Sequence, residues 1–426
     1  SQRPRRTVNN SMINLLRYRS IERLRLEGKP EAMVRKASQR LRDRTTIVPN
    51  SCDVIAIAGN EEAYIAKFIH HYLHLGFAHL FVGINNCQDQ TPRILKQIAQ
   101  HHPNVHIFNT DHPQKYHRQK GSYAALLNAA SKSSSSSHCL VVDVDEYWFS
   151  NQPEQAVTDH LGTIQPFDVM FINWLCSYGQ HHAQPITDLT GASILLKQSQ
   201  GKSMFRYDCG LQEIRCHAPK LDNPKNAILC SNRGKNLLWE KTESGISKKN
   251  IPQHLRNIKT DEFQPNHDTP ASWILHQIVR SEVEYALKLF QPRATQQPRP
   301  FKDNRNGWLL PKENKKQRRF FISILSKLAA TKRYQDSYEH FLQTCNILEL
   351  VDSAHRRIQG EAVKRRIDAM TDDVIRSHQS IWRTTFRGTR FLNQLERRLQ
   401  TPDRGHWIRL FAGRRKQPPE GSSSPD

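Results

Sequence analysis

No stretch of this chain approaches the roughly 20 consecutive apolar residues needed to span a bilayer, so no helical membrane crossing is written into it. The basic residues among Ser1–Arg6 lead into no apolar signal core, and the chain is expected to be unsecreted. The eight cysteines, at 52, 87, 139, 176, 209, 216, 230 and 345, contain no Cys-x-x-Cys pair. That absence argues against a disulfide framework and for a reducing compartment, with Cys52 and Cys139 acting as small hydrophobes inside apolar runs. Cys209, Cys216, His217 and Cys230 fit no common structural zinc spacing. No internal repeat is present, which excludes a solenoid.

Acidic residues are also in short supply. Lys and Arg number 63 against 40 Asp and Glu, a formal charge of +23. The imbalance is not uniform: residues 1–50 carry 13 bases against 4 acids and residues 301–426 carry 26 against 14, leaving 24 against 22 between them. The basicity therefore belongs to the flanks, and a nearly neutral centre is free for other chemistry. The flanks lack the aromatic-basic interleaving of RNA-binding modules, which argues against a nucleic-acid partner.

The division expected from these shifts is a basic helical extension over 1–50, a folded domain over 51–290, a Pro/Gln/Arg-rich linker over 291–310, a basic helical region over 311–416 and a disordered tail over 417–426. From Cys52 onward, strand and helix patterns alternate. Strand Asp53–Ala58 is followed by a helix to about Leu75, strand His79–Ile84, helix Thr91–His101, strand Val105–Phe108, helix Gln119–Ala130 and a strand beginning near His138. Such alternation predicts an α/β fold with a mostly parallel sheet and helices on both faces. Beyond it, Asp168–Trp174 reads as a strand, Ala192–Lys197 with Lys202–Asp208 as a hairpin, Leu211–His217 as another strand, and residues 231–270 as a loop suited to a lid or acceptor site. Helices are expected over Pro153–Leu161, Ala271–Leu289, Phe320–Leu328, Tyr338–Leu350, Val363–Met370 and Ile381–Leu399. On the first of the alternating helices, His70, His71 and His74 lie largely off the apolar stripe. They read as solvent-facing or helix-packing groups in preference to metal ligands.

The stretch with the most chemistry is His138-Cys139-Leu140-Val141-Val142-Asp143-Val144-Asp145-Glu146-Tyr147-Trp148-Phe149. A buried strand here delivers three carboxylates to its C-terminal end, where ligands bind in open α/β sheets. Three acids in four residues repel one another unless a cation lies among them. Hard oxygen ligands suit Mn2+ or Mg2+, shared with a phosphate. A bare Asp-x-Asp-Glu is also compatible with a strand cap and turn.

Four segments occur in a telling order: Asn60-Glu61-Glu62 after the first strand, "GFAHLFVGINNCQDQT" (76–91), "KGSYAALLNAA" (120–130) and "LVVDVDEYWF" (140–149). Together they resemble the family 2-like glycosyltransferases of GT-A fold, in particular a subgroup with Asn-Glu and Asp-x-Asp-Glu-Phe-like motifs, related to the family 92 glycosyltransferases. "INWLCSYG" (172–179), "GKSMFR" (201–206), His217 and "HQIVRSEVEYALK" (276–288) resemble later motifs of that subgroup. The resemblance covers about residues 52–290.

That resemblance implies a Rossmann-like mixed sheet and a metal-dependent transfer of sugar from a nucleotide-sugar donor to a glycan or lipid-linked acceptor, in cell-surface polysaccharide or lipopolysaccharide synthesis. It places Asn60 and Glu61 near the base and ribose, and Asn85 and Asp89 in the second turn of the nucleotide pocket. The turn itself departs from the family's acid-rich, glycine-containing loop. Lys120, Lys202 and Arg206 are candidate donor contacts, Lys120 at the start of its helix. Asp145 is the expected direct ligand of Mn2+ or Mg2+, with Asp143 nearer the ribose but also a candidate ligand, and His217 and His276 are candidates to close the metal site. Trp148 and Trp174 are candidates to stack on the apolar face of a sugar, although burial explains a tryptophan equally well. For a base that takes the acceptor's proton, Glu213 is the first candidate, Asp208 the second, and Glu146 a further acid that orients its neighbours or meets the acceptor. Salt bridges to Arg215 and Arg206 account for Glu213 and Asp208 equally well. The basic flanks suit a protein in the cytoplasm, peripheral to the anionic inner face of the membrane. Two other readings remain open at this point: a non-catalytic scaffold of the same fold, and nucleic-acid binding through the flanks.

Overall fold

A computed structural model describes residues 21–152, 154–178, 194–232, 234, 236–237, 271–278, 280–290, 300–303, 305, 307–308 and 331–400. The expected helix Phe320–Leu328, the tail and almost all of the expected 231–270 loop lie outside these residues. The chain divides into two compact units, Ser1–Glu282 with Pro311–Ile358, and Val283–Leu310 with Gln359–Asp426.

In the first unit, β1 (Glu22–Arg23) and α1 (Pro30–Arg42) precede the alternating series. Pro30 at the first turn of α1 fixes a helical φ where no N–H is needed. The series runs β2 (Val48–Ala58), α2 (Ile65–His74), β3 (Leu80–Ile84), α3 (Thr91–His101), β4 (Val105–Asn109), α4 (Asp111–Ser133) and β5 (Ser136–Asp143). The α4 span is broken at His117 and Arg118, the latter at φ 48°. Then come β6 (Glu146–Ser150), α5 (Val157–Gly162), β7 (Val169–Tyr178), β8 (Ile194–Arg206), β9 (Leu211–Glu213), β10 (Lys220–Leu221), β11 (Leu229–Ser231), β12 (Asn236–Leu237) and β13 (Ser272–His276).

Strands β1, β4, β3, β2 and β5 lie side by side in parallel, as the alternation predicts. Next to β5 the direction reverses: β8 is antiparallel to both β5 and β7, and β13 lies between β6 and β7. Alternate residues of the central strands feed two cores. Val54, Ala56, Leu140 and Val142 pack with α2 and α3, whereas Ile55, Cys139 and Val141 pack with α1 and α4. The result is the mixed α/β sheet flanked by helices expected of a GT-A fold.

Three expectations need correction. Residues 271–289 are not one helix: Ser272-Trp273-Ile274-Leu275-His276 forms β13, because a continuous apolar run with neighbours on both sides is most stable as a buried central strand. The segments around 194–206 form no hairpin with each other; they are one long strand against β7. The strand beginning at Leu211 ends at Glu213. The long strand requires glycine at 201, where a Cβ would stand 2.0 Å from the Ile172 carbonyl oxygen. Gly201→Ala is therefore expected to cost about 1–3 kcal/mol, read as a lowered Tm in thermal denaturation.

The first unit is completed by α7 (Lys332–Thr344) and α8 (Leu348–Arg357), two helices separated at Asn346 (φ 51°) where one was expected. Buried His71 ties α7 to the sheet: its Nε2–H donates to the Trp148 carbonyl at 2.6 Å, and the Tyr334 hydroxyl meets its Nδ1 at 3.1 Å. His70 packs against Tyr334, Tyr338 and Phe341. These two histidines are thus helix-packing groups.

The second unit contains α6 (Glu282–Leu289), α9 (Gly360–Asp368), α10 (Asp372–Ser377), α11 (Gln379–Thr385) and α12 (Leu392–Gln400). Here too an expected single helix, Ile381–Leu399, is divided, with Gly388 at φ 83° in the break. Its core gathers Tyr285, Phe301, Trp308, Trp382 and Phe386, and the Trp382 indole N–H donates to the Ile375 carbonyl at 2.7 Å. Among the described residues, no helix is long and apolar enough to cross a membrane.

Candidate active site

The acid turn lies where β5 stops. Asp143 is the last residue of β5 and Glu146 the first of β6, so Val144 and Asp145 make the turn between two buried strands. This puts all three carboxylates at the C-terminal edge of the parallel half of the sheet, as expected.

Two cations stand among them. Lys202, wholly buried on β8, places its Nζ 2.9 Å from Asp143 Oδ2 and 3.0 Å from Glu146 Oε2. The same Glu146 oxygen accepts the Asp143 backbone N–H at 2.8 Å, while its Oε1 is buried without a hydrogen-bond partner. Burial pushes the Glu146 carboxyl up to about 7, with Asp143 adding to the rise and Lys202 opposing it. On the other side, His276 at the end of β13 points its Nε2 at Asp145 Oδ1, 3.7 Å away. Burial disfavours a charged imidazole there, yet the Asp145 carboxylate outweighs it and holds His276 at about 10. The backbone reinforces this pairing, since Gln277 N–H donates to the Asp145 carbonyl at 2.8 Å.

His217 belongs to the same neighbourhood. Its Nδ1–H donates to the Gly201 carbonyl at 2.9 Å, and the Trp174 ring lies between it and His276 at centroid distances of 5.1 and 4.4 Å. Burial keeps this imidazole neutral, and with the proton on Nδ1 its Nε2 carries the lone pair. Trp174 is nearly covered and Trp148 is fully buried against Phe77 and His160, so burial accounts for both tryptophans expected to stack on a sugar.

The two turns beside the acids are braced against each other. Asn60, at φ 57°, accepts the Gln88 N–H through Oδ1 at 2.7 Å. Asp89 accepts the N–H groups of Glu62 and Thr91, both at 3.0 Å. Glu61 pairs with Arg280 at 2.7 Å, and the Arg280 guanidinium lies 3.8 Å above the Tyr64 ring. Buried Asn85 accepts a hydrogen bond from Thr110. The turns named from the sequence are thus adjacent, but these polar groups shape the turns and do not simply project from them.

Lys120 forms an ion pair with Glu213, which Arg215 also holds, at 2.8 Å. Burial would raise the Glu213 carboxyl, but the two cations keep it below its ordinary range. Asp208 and Arg206 are not at the site. Arg206 pairs with Asp208 at 2.5 Å and sits opposite His138, five residues before Asp143 and so about 16 Å down the strand. Antiparallel pairing is the reason: moving along β8 from 202 to 206 means moving away from the end of β5.

Two neighbours were not anticipated. The Tyr123 hydroxyl approaches Asp143 Oδ1 at 3.4 Å, and the Cys176 thiol lies 3.9 Å from His276 Nδ1. Tyr123 falls three residues after Lys120 on one helix face, a spacing that links it to the lysine in the sequence. Nothing in the sequence links Cys176 to His276, 100 positions away.

Sheet order and flanking helices define this as a mixed α/β domain with the acid turn at the edge of its parallel half. No protein-family model and no curated protein matches the sequence. Among solved structures, TarS 1-349 of S. aureus is similar over 37% of this chain at 18% identity and a TM-score of 0.25. The chain spans about half of that protein, 47% of its length. HddC from Yersinia pseudotuberculosis is similar over 42% of this chain and 90% of its own, at 11% identity and a TM-score of 0.25.

Proposed function

We propose that the chain is a glycosyltransferase using Mn2+ or Mg2+, which moves a sugar from a nucleotide-sugar donor to a glycan or lipid-linked acceptor. The observation that carries this reading is the Asp145–His276 pair at the C-terminal edge of the parallel strands, beside the two braced turns. The donor set suits a divalent ion that displaces the proton His276 holds beside Asp145: the carboxylate oxygen and the imidazole nitrogen, 3.7 Å apart, lie within the span of two bonds of about 2.1 Å to a shared centre. Among the described residues no three such groups converge, so an ion held here would have to complete its shell with phosphate oxygens of the donor. When bound, the ion stabilises the charge that develops on the departing nucleoside diphosphate.

The protein's own groups do the rest. Asp143, fixed by Lys202, presents its half-exposed carboxylate to a donor hydroxyl. Neutral His217 faces the donor phosphates as a second-line ligand or hydrogen-bond partner. Glu213, held by Lys120 and Arg215, is the acid we assign to the acceptor's proton. The basic flanks then serve the acceptor or an anionic membrane surface.

A thermal-shift screen of UDP-, GDP- and CMP-sugars with and without Mn2+ tests the reading. One donor class should raise the Tm only when the ion is present, because a ligand that binds the native state stabilises it in proportion to its occupancy. A Tm indifferent to every donor and ion would support the scaffold instead.

A further inference from the structure

We propose that Arg357, the last residue of α8, is a positioning residue for the nucleotide-sugar donor: its guanidinium clamps Glu62 and so holds the turn after β2 against the turn after β3. The inference rests on the reading of those turns as the donor-binding edge, and it gives the C-terminal helices a part in donor binding.

Three observations carry it. First, the contact is two-pronged. Arg357 donates through Nε–H to Glu62 Oε1 at 3.0 Å and through Nη2–H to Oε2 at 2.8 Å, a geometry that a lysine cannot reproduce. The Ser353 hydroxyl, one turn back on α8, accepts an Nη1–H at 2.7 Å and orients the guanidinium. Second, Glu62 joins the two turns. Its Oε2 also accepts the Gln90 N–H at 2.9 Å, and its own N–H donates to Asp89 at 3.0 Å. Beside it, the Glu61 N–H donates to the Thr91 hydroxyl at 2.8 Å. A change of orientation at Glu62 therefore reaches both turns at once. Third, the clamp comes from outside the α/β series, 295 positions beyond Glu62 in the basic helical region. A second contact seats α8 on the same segment, where His355 Nε2–H donates to the Ala63 carbonyl at 2.8 Å. The Arg357 side chain is 48% exposed, so its removal strands no buried cation and costs little global stability. What the pair controls is local: the placement of the two turns.

The test joins two measurements on the full chain: donor KM and kcat, read as nucleotide release from UDP-, GDP- and CMP-sugars with Mn2+, and amide hydrogen exchange with no donor present. The variants are Arg357→Ala, Arg357→Lys, Glu62→Gln and Arg356→Ala. Arg356 is the neighbouring control, because it pairs with Glu349 of its own helix at 2.8 Å. Arg357→Ala should raise donor KM about 10-fold or more and change kcat less. It should speed exchange at residues 60–62 and 88–91 without speeding that of β5, and lower the Tm by no more than about 3 °C. Arg357→Lys, which keeps the charge but not the fork, should fall between wild type and Arg357→Ala. The double variant with Glu62→Gln should be no worse than the more severe single one, because both act through one pair. Arg356→Ala should leave KM at the wild-type value. A donor KM or an exchange rate at the two turns that is unchanged in Arg357→Ala would overturn the proposal, as would an equal effect of Arg356→Ala. Faster exchange at both turns in a protein that releases nucleotide from no donor would instead refute the transferase reading while leaving the clamp intact.

Discussion

Replacing Asp145 with asparagine is expected to lower kcat/KM for donor turnover by about 100- to 10,000-fold, with little change in fold. The loss corresponds to about 3–5 kcal/mol of transition-state stabilisation, the range expected when a charge aimed at a developing anion is removed. Its size follows from the setting. Asp145 is in a turn and not in the core trio of Lys202, Asp143 and Glu146, so the substitution leaves the buried charges paired. It also removes the carboxylate that holds His276 at about 10, and the imidazole should return toward its ordinary range. An NMR titration of His276 in the variant therefore reports the change independently of turnover. Retained donor turnover in Asp145→Asn would exclude the assigned role.

Acidification is expected to unfold the first unit well above the pH at which most carboxylates titrate. Burial holds His70 at about 2 and His71 at about 3, and His138 and His160 at about 4. All four are neutral in the folded chain, whereas an unfolded histidine takes up a proton near pH 6.5. The stability they allow is complete above that pH and falls as the pH drops toward the folded values, by about 1.4 kcal/mol per unit for each group. Glu146 works in the opposite direction, since its carboxyl is raised from 4.5 to about 7 and binds its proton earlier in the folded state. Among these five groups, one gaining against four losing leaves a net loss of about 4 kcal/mol per unit between pH 6.5 and 4.5. Two units of that slope would consume the whole stability of an ordinary domain. Tm measured from pH 7.5 to 4.5 should fall steeply below 6.5, and a flat profile to pH 5 would contradict the buried, neutral state of these rings.

The parallel half of the sheet was legible in the sequence because its strands and helices are local, sequential and strongly patterned: β2, β3, β4 and β5 each follow a helix whose apolar face is visible at helical spacing. For the same reason, Asp143 and Asp145 could be placed at a strand end from sequence alone. What could not be read was long-range pairing. Ser272-Trp273-Ile274-Leu275-His276 has no alternation to mark it as a strand, and only its position between β6 and β7 makes it one. That pairing is what carries His276 to Asp145 across more than a hundred residues. Lys202 and Arg206 looked equivalent in "GKSMFR", but antiparallel pairing puts one under the acids and the other at the far end of the strand. The acid cluster posed the problem of three repelling charges, and the two cations that resolve it come from β8 and β13, the strands least evident in the sequence.

The most direct test of the central claim is the release of nucleotide from UDP-, GDP- and CMP-sugars by the full chain, with Mn2+, with Mg2+ and with a chelator. The account predicts release from one donor class that requires the divalent ion and disappears in Asp145→Asn. Release that is unaffected by the chelator, or its absence with every donor and ion, would contradict it.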